Sequence, residues 1–224
     1  MKNIHHTKVR MNKVLVLGCS RSGTTEFCKT LQEITSKKLV WEPQVGLQRD
    51  TSKNLLKLFG VNGFLDKIYQ EEDTFGIKWG LYPESECSTE VIDYHDLVFF
   101  LSRRNVFKQV ISLYLAKKTG KWRSVDFNVE TFTQKEKEEY NEIKVGKIDI
   151  EDIKKDIKGI KETSVKFIGH LKSHRNARVL FYEDLFGFFS GVKINTEENY
   201  KNIENWKELQ QFYIDNKDFC RYLH

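Results

Sequence analysis

Lys13-Val14-Leu15-Val16-Leu17-Gly18-Cys19-Ser20-Arg21-Ser22-Gly23-Thr24-Thr25 is the stretch whose reading decides how this chain of 224 residues folds. Its first half is a Val/Leu run ending at Gly18, the pattern of a strand buried on both faces of a parallel sheet. Its second half sets Gly18 and Gly23 with four residues between them and follows them with two threonines. A strand, a glycine-framed turn and a helix N-terminus make an anion cradle. Backbone N–H groups converge on the oxygens, and the helix dipole adds positive potential. In a nucleoside triphosphate loop a lysine follows the second glycine. Here that position is Thr24, and a cation sits inside the turn at Arg21. The arrangement suits a terminal anionic group that needs charge stabilisation without a metal-bridged γ-phosphate. The bland alternative is an ordinary strand–turn–helix corner. Against it stand the position after the best strand, Arg21, Ser22 and the paired threonines.

Working outward, a helix is predicted from about Gly23 to Ile34, with Phe27, Leu31 and Ile34 on one face. Lys38 to Trp41 reads as a second strand and Phe75 to Trp79 as a third. Leu97-Val98-Phe99-Phe100-Leu101 is the strongest strand signal after the first, and Ala177 to Tyr182 is the last. Helices are expected over Asp50 to Gln70, over Ser88 to Tyr94, and after a cap at Asn105, where Val106, Val110, Leu113 and Tyr114 recur at helical spacing. A charged surface helix is expected from Thr131 to Glu142. Ile150, Ile153, Ile157 and Ile160 mark a long amphipathic helix from Asp149 to Ser173. Trp206, Leu209 and Phe212 mark a helical tail. Strands alternating with helices predict an α/β chain, a P-loop-like three-layer fold with a central parallel sheet flanked by helices. Ligands of such sheets bind at the carboxyl ends of the strands. The two prolines, Pro43 and Pro83, and the lack of a Gly/Ser-rich linker point to a single domain over residues 1–224, with residues 1–12 as a flexible N-terminus.

Composition excludes several classes. Hydrophobic residues at 39% and aromatics at 13% argue for a packed chain over a disordered one. Lys and Arg total 37 against 32 Asp and Glu, a net charge of +5 that fits an anionic ligand but is too scattered for nucleic-acid binding. The cysteines Cys19, Cys28, Cys87 and Cys220 form no C-x-x-C pair, so neither a disulfide framework nor a zinc knuckle is expected, and a reducing, cytoplasmic setting is. His5 and His6 are adjacent in the polar N-terminus and do not make a metal site; no metal is expected. No apolar run approaches the roughly 20 residues of a membrane span, and no signal-peptide core is present. A homodimer is left open.

A second anion motif lies downstream. The strongest later strand ends in Ser102-Arg103-Arg104, on the ligand edge of a parallel sheet, and the next helix carries Ser112. Arginine binds a phosphate monoester through a bidentate fork, and a serine hydroxyl adds a donor. Arg104 and Ser112 are eight residues apart, roughly 12 Å of helix rise. Two anion sites on one edge suggest a ligand with two separated anionic groups, such as a nucleotide carrying a 5′ anhydride and a 3′-phosphate.

These residues resemble the sulfotransferases that use 3′-phosphoadenosine-5′-phosphosulfate (PAPS). Arg21-Ser22-Gly23-Thr24-Thr25 is similar to the family's 5′-phosphosulfate loop. Arg104 and Ser112 match its 3′-phosphate pair. The run from Gln109 to Trp122, with Ser112, Ala116, Thr119 and Gly120 between, is similar to the bacterial trehalose and lipopolysaccharide sulfotransferases. Tyr182-Glu183-Asp184-Leu185 resembles a further segment of the family. The resemblance implies sulfuryl transfer from PAPS, with 3′,5′-adenosine bisphosphate as product, no metal, and a carbohydrate or other small acceptor. It implies that Arg21, Ser22, Gly23, Thr24 and Thr25 hold the 5′-phosphosulfate, Arg21 steadying the developing charge. Arg104 and Ser112 take the 3′-phosphate, with Arg103 in reserve if the register shifts by one. A base must accept the acceptor's proton. The trehalose branch reads E-P-x-E here and uses the second Glu; this chain has Glu42-Pro43-Gln44-Val45. Glu42 is therefore the expected base, with His95 or His170 as alternatives. Trp122 borders the acceptor or adenine pocket, or belongs to the core. Two rivals share the loop: a P-loop small-molecule kinase, and a nucleotide-binding relative that has lost its base.

Overall fold

A computed structural model describes residues 13–43, 50–70, 73–81, 89–119, 144–188 and 200–222. The expected strands Val14–Cys19 (β1), Lys38–Trp41 (β2), Thr74–Leu81 (β3), Leu97–Ser102 (β4) and Ala177–Phe181 (β5) form a five-stranded sheet in the order β2-β3-β1-β4-β5. Every pairing is parallel. The first strand of the sequence is thus the middle of the sheet, and its end lies between those of β3 and β4, with Gly18 in register with Gly80 and Leu101.

The helices are Thr24–Thr35 (α1), Asp50–Tyr69 (α2), Thr89–Asp93 (α3), Val106–Thr119 (α4), Ile150–Leu171 (α5), Trp206–Asp215 (α6) and Lys217–Cys220 (α7), with a 3-10 turn at Tyr182–Phe188 after β5. The predicted helix over residues 50–70 is interrupted at Gly60, whose φ of 65° lies outside the helical region. The predicted 131–142 helix, Val45, Cys87 and Trp122 fall outside the described residues.

Alternation along the strands assigns the two faces of the sheet. Leu15, Leu17, Ile77, Trp79, Val98 and Phe100 pack against Phe64 and Leu65 of α2, Val91 of α3 and Phe167 of α5. Val14, Val16, Leu39, Phe75 and Leu101 face the other way, toward Cys28, Phe27 and Leu31 of α1. A third cluster joins α4, α5 and α6 through Val110, Ile111, Ile153, Ile157, Leu209 and Phe212. The chain is an α/β fold with helices on both faces of a parallel sheet. No described helix is long and apolar enough to cross a membrane.

Candidate anion-binding site

The loop after β1 is bent where its sequence requires. The Ser22 N–H donates to the Cys19 carbonyl at 3.1 Å, which closes the turn, and Arg21 at its tip has φ 65°. Gly18 has no room for a side chain: a Cβ there would lie 2.8 Å from the Leu101 carbonyl oxygen and 2.4 Å from Ser22 Oγ. Gly23, at φ 96°, is closed over by the Tyr182 ring, whose Cδ2 would sit 2.2 Å from an added Cβ. Ser22 is fully buried, and its hydroxyl has no hydrogen-bond partner among the described residues. Buried hydroxyls ordinarily find partners, so a loop that keeps one without is suited to an incoming anion.

Arg21 and Ser112, expected at separate ends of a ligand, are in contact. Arg21 Nε donates to Ser112 Oγ at 2.9 Å. Gln109, one turn earlier on α4, donates its side-chain amide to the Ser20 carbonyl at 2.8 Å. Both bonds arise because β1 and β4 are neighbours in the sheet, which lays the first two turns of α4 against the β1–α1 loop. Both side chains are buried. Ser112 therefore touches the loop, and Arg104, eight residues earlier, lies just before the start of α4.

Arg104 is engaged by the turn after β5. Its NH2 donates to Asp184 Oδ2 at 2.6 Å and its Nε to Asp184 Oδ1 at 3.4 Å. The guanidinium also stacks on Phe181, 4.3 Å from the ring centroid. Asn105 caps α4 as expected, its Oδ1 accepting the Lys108 N–H at 2.9 Å. Arg103 goes elsewhere: its guanidinium lies 4.3 Å from the Tyr182 ring centroid, and its buried Nε has no hydrogen-bond partner among the described residues.

Glu42 ends β2 in a left-handed conformation, φ 45°, its N–H donating to the Lys78 carbonyl at 2.8 Å. Its carboxylate meets the same residue again: Lys78 Nζ lies 2.6 Å from Glu42 Oε1 and 3.2 Å from Thr25 Oγ1. The pair is well enclosed, with side chains 7% and 12% exposed for Lys78 and Glu42. The ammonium also lies 5.1 Å from the Trp41 ring centroid, and Trp41 Nε1 donates to Gln32 Oε1. Sequence reasoning missed Lys78. Its signal was available, since a lysine inside a strand otherwise buried along its whole length is rare unless it has a task or a partner. It brings to Thr25, from a neighbouring strand, the ammonium that the loop itself lacks.

The alternative bases lie at the wrong edge. His95 precedes β4 and His170 is in the last turn of α5, ahead of β5, so both belong to the amino edge of the sheet. Burial lowers the His95 pKa to about 4, its bond to the Val91 carbonyl opposing that shift. His170 is exposed. No group of three or more His, Cys, Asp or Glu side chains that could hold a metal occurs among the described residues.

No family model matches the chain, and no curated protein matches it. Among solved structures, the crystal structure of mouse sulfotransferase SULT7A1 complexed with PAP is similar over 86% of this chain and 63% of its own, at 12% identity and a TM-score of 0.42. The chain thus spans a little under two thirds of that protein's length.

Proposed function

We propose that this chain transfers a sulfuryl group from PAPS to a hydroxyl of a carbohydrate or another small acceptor. The observation that carries the reading is the convergence of an anion loop, two cations and a carboxylate on the carboxyl edge of adjacent strands: Lys78 stands 3.2 Å from Thr25 of the loop and 2.6 Å from Glu42, and Arg21 closes the other side. The unsatisfied buried hydroxyl of Ser22 fits a donor to an anionic oxygen. In this reading Arg21, Ser22, Gly23, Thr24 and Thr25 hold the 5′-phosphosulfate, with Lys78 added to them. Arg104 takes the 3′-phosphate, and Ser112, bonded to Arg21, stands on α4 between the two ends. Fixed cations at the loop stabilise charge that grows on the leaving phosphate. The sulfur–oxygen bond to that phosphate breaks as a new one forms to the acceptor oxygen, and the acceptor's proton passes to Glu42. The buried free thiols Cys19, Cys28 and Cys220 accord with a reducing, cytoplasmic setting.

Lys78 also favours a second reading, phosphoryl transfer from a nucleoside triphosphate, because it supplies from β3 the ammonium that Thr24 does not. Thermal-shift titration separates the two. Stabilisation by 3′,5′-adenosine bisphosphate without Mg²⁺, and little by ATP with Mg²⁺, is expected; the reverse pattern identifies a kinase. Transfer of radiolabelled sulfate from PAPS to a panel of sugars and phenols then tests the reaction. Glu42→Gln should lower that transfer, and full turnover in this variant would remove Glu42 from the role of base.

A further inference from the structure

The turn after β5 joins the two cationic spots of the site. Its first residue, Tyr182, packs its ring on Gly23 of the anion loop. Its second, Glu183, accepts the backbone N–H groups of Arg104 at 3.0 Å and Asn105 at 3.4 Å, at the start of α4. Its third, Asp184, takes the fork of Arg104 at 2.6 and 3.4 Å. Two carboxylates of the chain itself thus lie where a helix start and an arginine draw an anion.

We propose that Glu183 and Asp184 form an autoinhibitory latch, an internal competitor that the nucleotide's 3′-phosphate displaces from Arg104. The proposal rests on the nucleotide reading above and adds regulation to the same site. The Arg104 and Asp184 side chains are 42% and 55% exposed. An ion pair so open to water is weakly held. A phosphate, with more charge and three acceptor oxygens, outcompetes a single carboxylate for the same fork.

The test is calorimetric titration of the wild type, Asp184→Asn and Asp184→Ser with three probes: adenosine 3′,5′-bisphosphate, adenosine 3′-monophosphate and adenosine 5′-monophosphate. Both variants should bind the two 3′-phosphorylated probes about two- to five-fold more tightly, the scale of an exposed ion pair, and the 5′-monophosphate unchanged. Equal tightening of all three probes reports only the loss of one negative charge and overturns the latch. Unchanged or weaker binding of the 3′-phosphorylated probes makes Asp184 a support for Arg104 and overturns it as well. Failure of the bisphosphate to bind wild type and variants alike overturns the nucleotide reading, and the latch with it. A melting curve on each variant establishes that it is folded, and Asp184→Ser keeps the test open should the amide variant fail to fold.

Discussion

Replacing Lys78 by Met separates the roles of this ammonium from those of the strand that carries it. Met keeps the length and apolar stem, so β3 and its packing are retained, while Glu42 is stripped of a cation 2.6 Å away. The pair is enclosed, at 7% and 12% side-chain exposure, so water replaces the lost partner poorly. Removing one member of a buried pair costs about 3–5 kcal/mol, and the slight exposure of Glu42 places this case at the lower end, near 3 kcal/mol. In a chain of this size each kcal/mol moves the melting temperature by about 2–4 °C, so a fall of roughly 6–12 °C is expected. The cost belongs to the carboxylate left behind, so Lys78→Met combined with Glu42→Gln should recover most of it, with a coupling of about 2 kcal/mol in a double-mutant cycle. Urea denaturation of the four proteins measures every corner of the cycle. A Lys78→Met cost below about 1 kcal/mol, or additive single and double variants, would falsify the claim that the two groups act as one unit.

Three further outcomes are expected. Gly18→Ala drives a methyl to within 2.8 Å of the Leu101 carbonyl, a backbone atom that cannot swing aside. It should therefore cost about 1–3 kcal/mol in urea denaturation; an unchanged midpoint contradicts the close approach of loop and strand. Arg104→Ala should weaken adenosine 3′,5′-bisphosphate binding by about ten- to a hundred-fold, the worth of a charge-assisted bond, while leaving the 5′-monophosphate alone; parallel losses for both would move Arg104 away from the 3′ end. The third concerns His95, buried at the amino edge near Lys13, Asp96 and His174, whose pKa falls from 6.5 to about 4 on folding. A lowered pKa means that the unfolded chain takes up the proton first. Stability is therefore full above pH 6.5 and falls toward pH 4 by about 3 kcal/mol, at 1.36 kcal/mol per unit. Urea midpoints against pH measure this, and a His95→Asn variant with the same slope would assign the loss to another group.

The sheet was legible because its strands are written in the least ambiguous alphabet. β1 and β4 are uninterrupted Val, Leu and Phe runs, and the helices between them carry apolar residues at turn spacing. The anion loop was legible for the same local reason, its two glycines, its Arg and its threonines lying within eight residues. Contacts between elements distant in sequence were not. Strand order decides that the loop meets α4, and no local pattern states that β1 sits between β3 and β4. Arg21 and Ser112 were each identified, yet their direct bond follows only from that order. Lys78 was hidden for a related reason: its partners, Glu42 and Thr25, lie on two other elements, and a single lysine in a strand has no periodicity to report it. The Tyr182–Leu185 segment stood out only by its resemblance to a segment of the sulfotransferases, and nothing local states that its tyrosine and carboxylates reach the loop, the start of α4 and Arg104. The expected 50–70 helix breaks at Gly60, where glycine alone tolerates the required φ.

Co-crystallisation with adenosine 3′,5′-bisphosphate tests the joint role of the two motifs most directly. The 5′-phosphate should lie in the Arg21–Thr25 loop within hydrogen-bonding distance of the Ser22 hydroxyl, and the 3′-phosphate on the Arg104 fork, with Asp184 moved away. A nucleotide bound at any other edge of the sheet, or one whose 3′-phosphate points away from Arg104, contradicts the assignment.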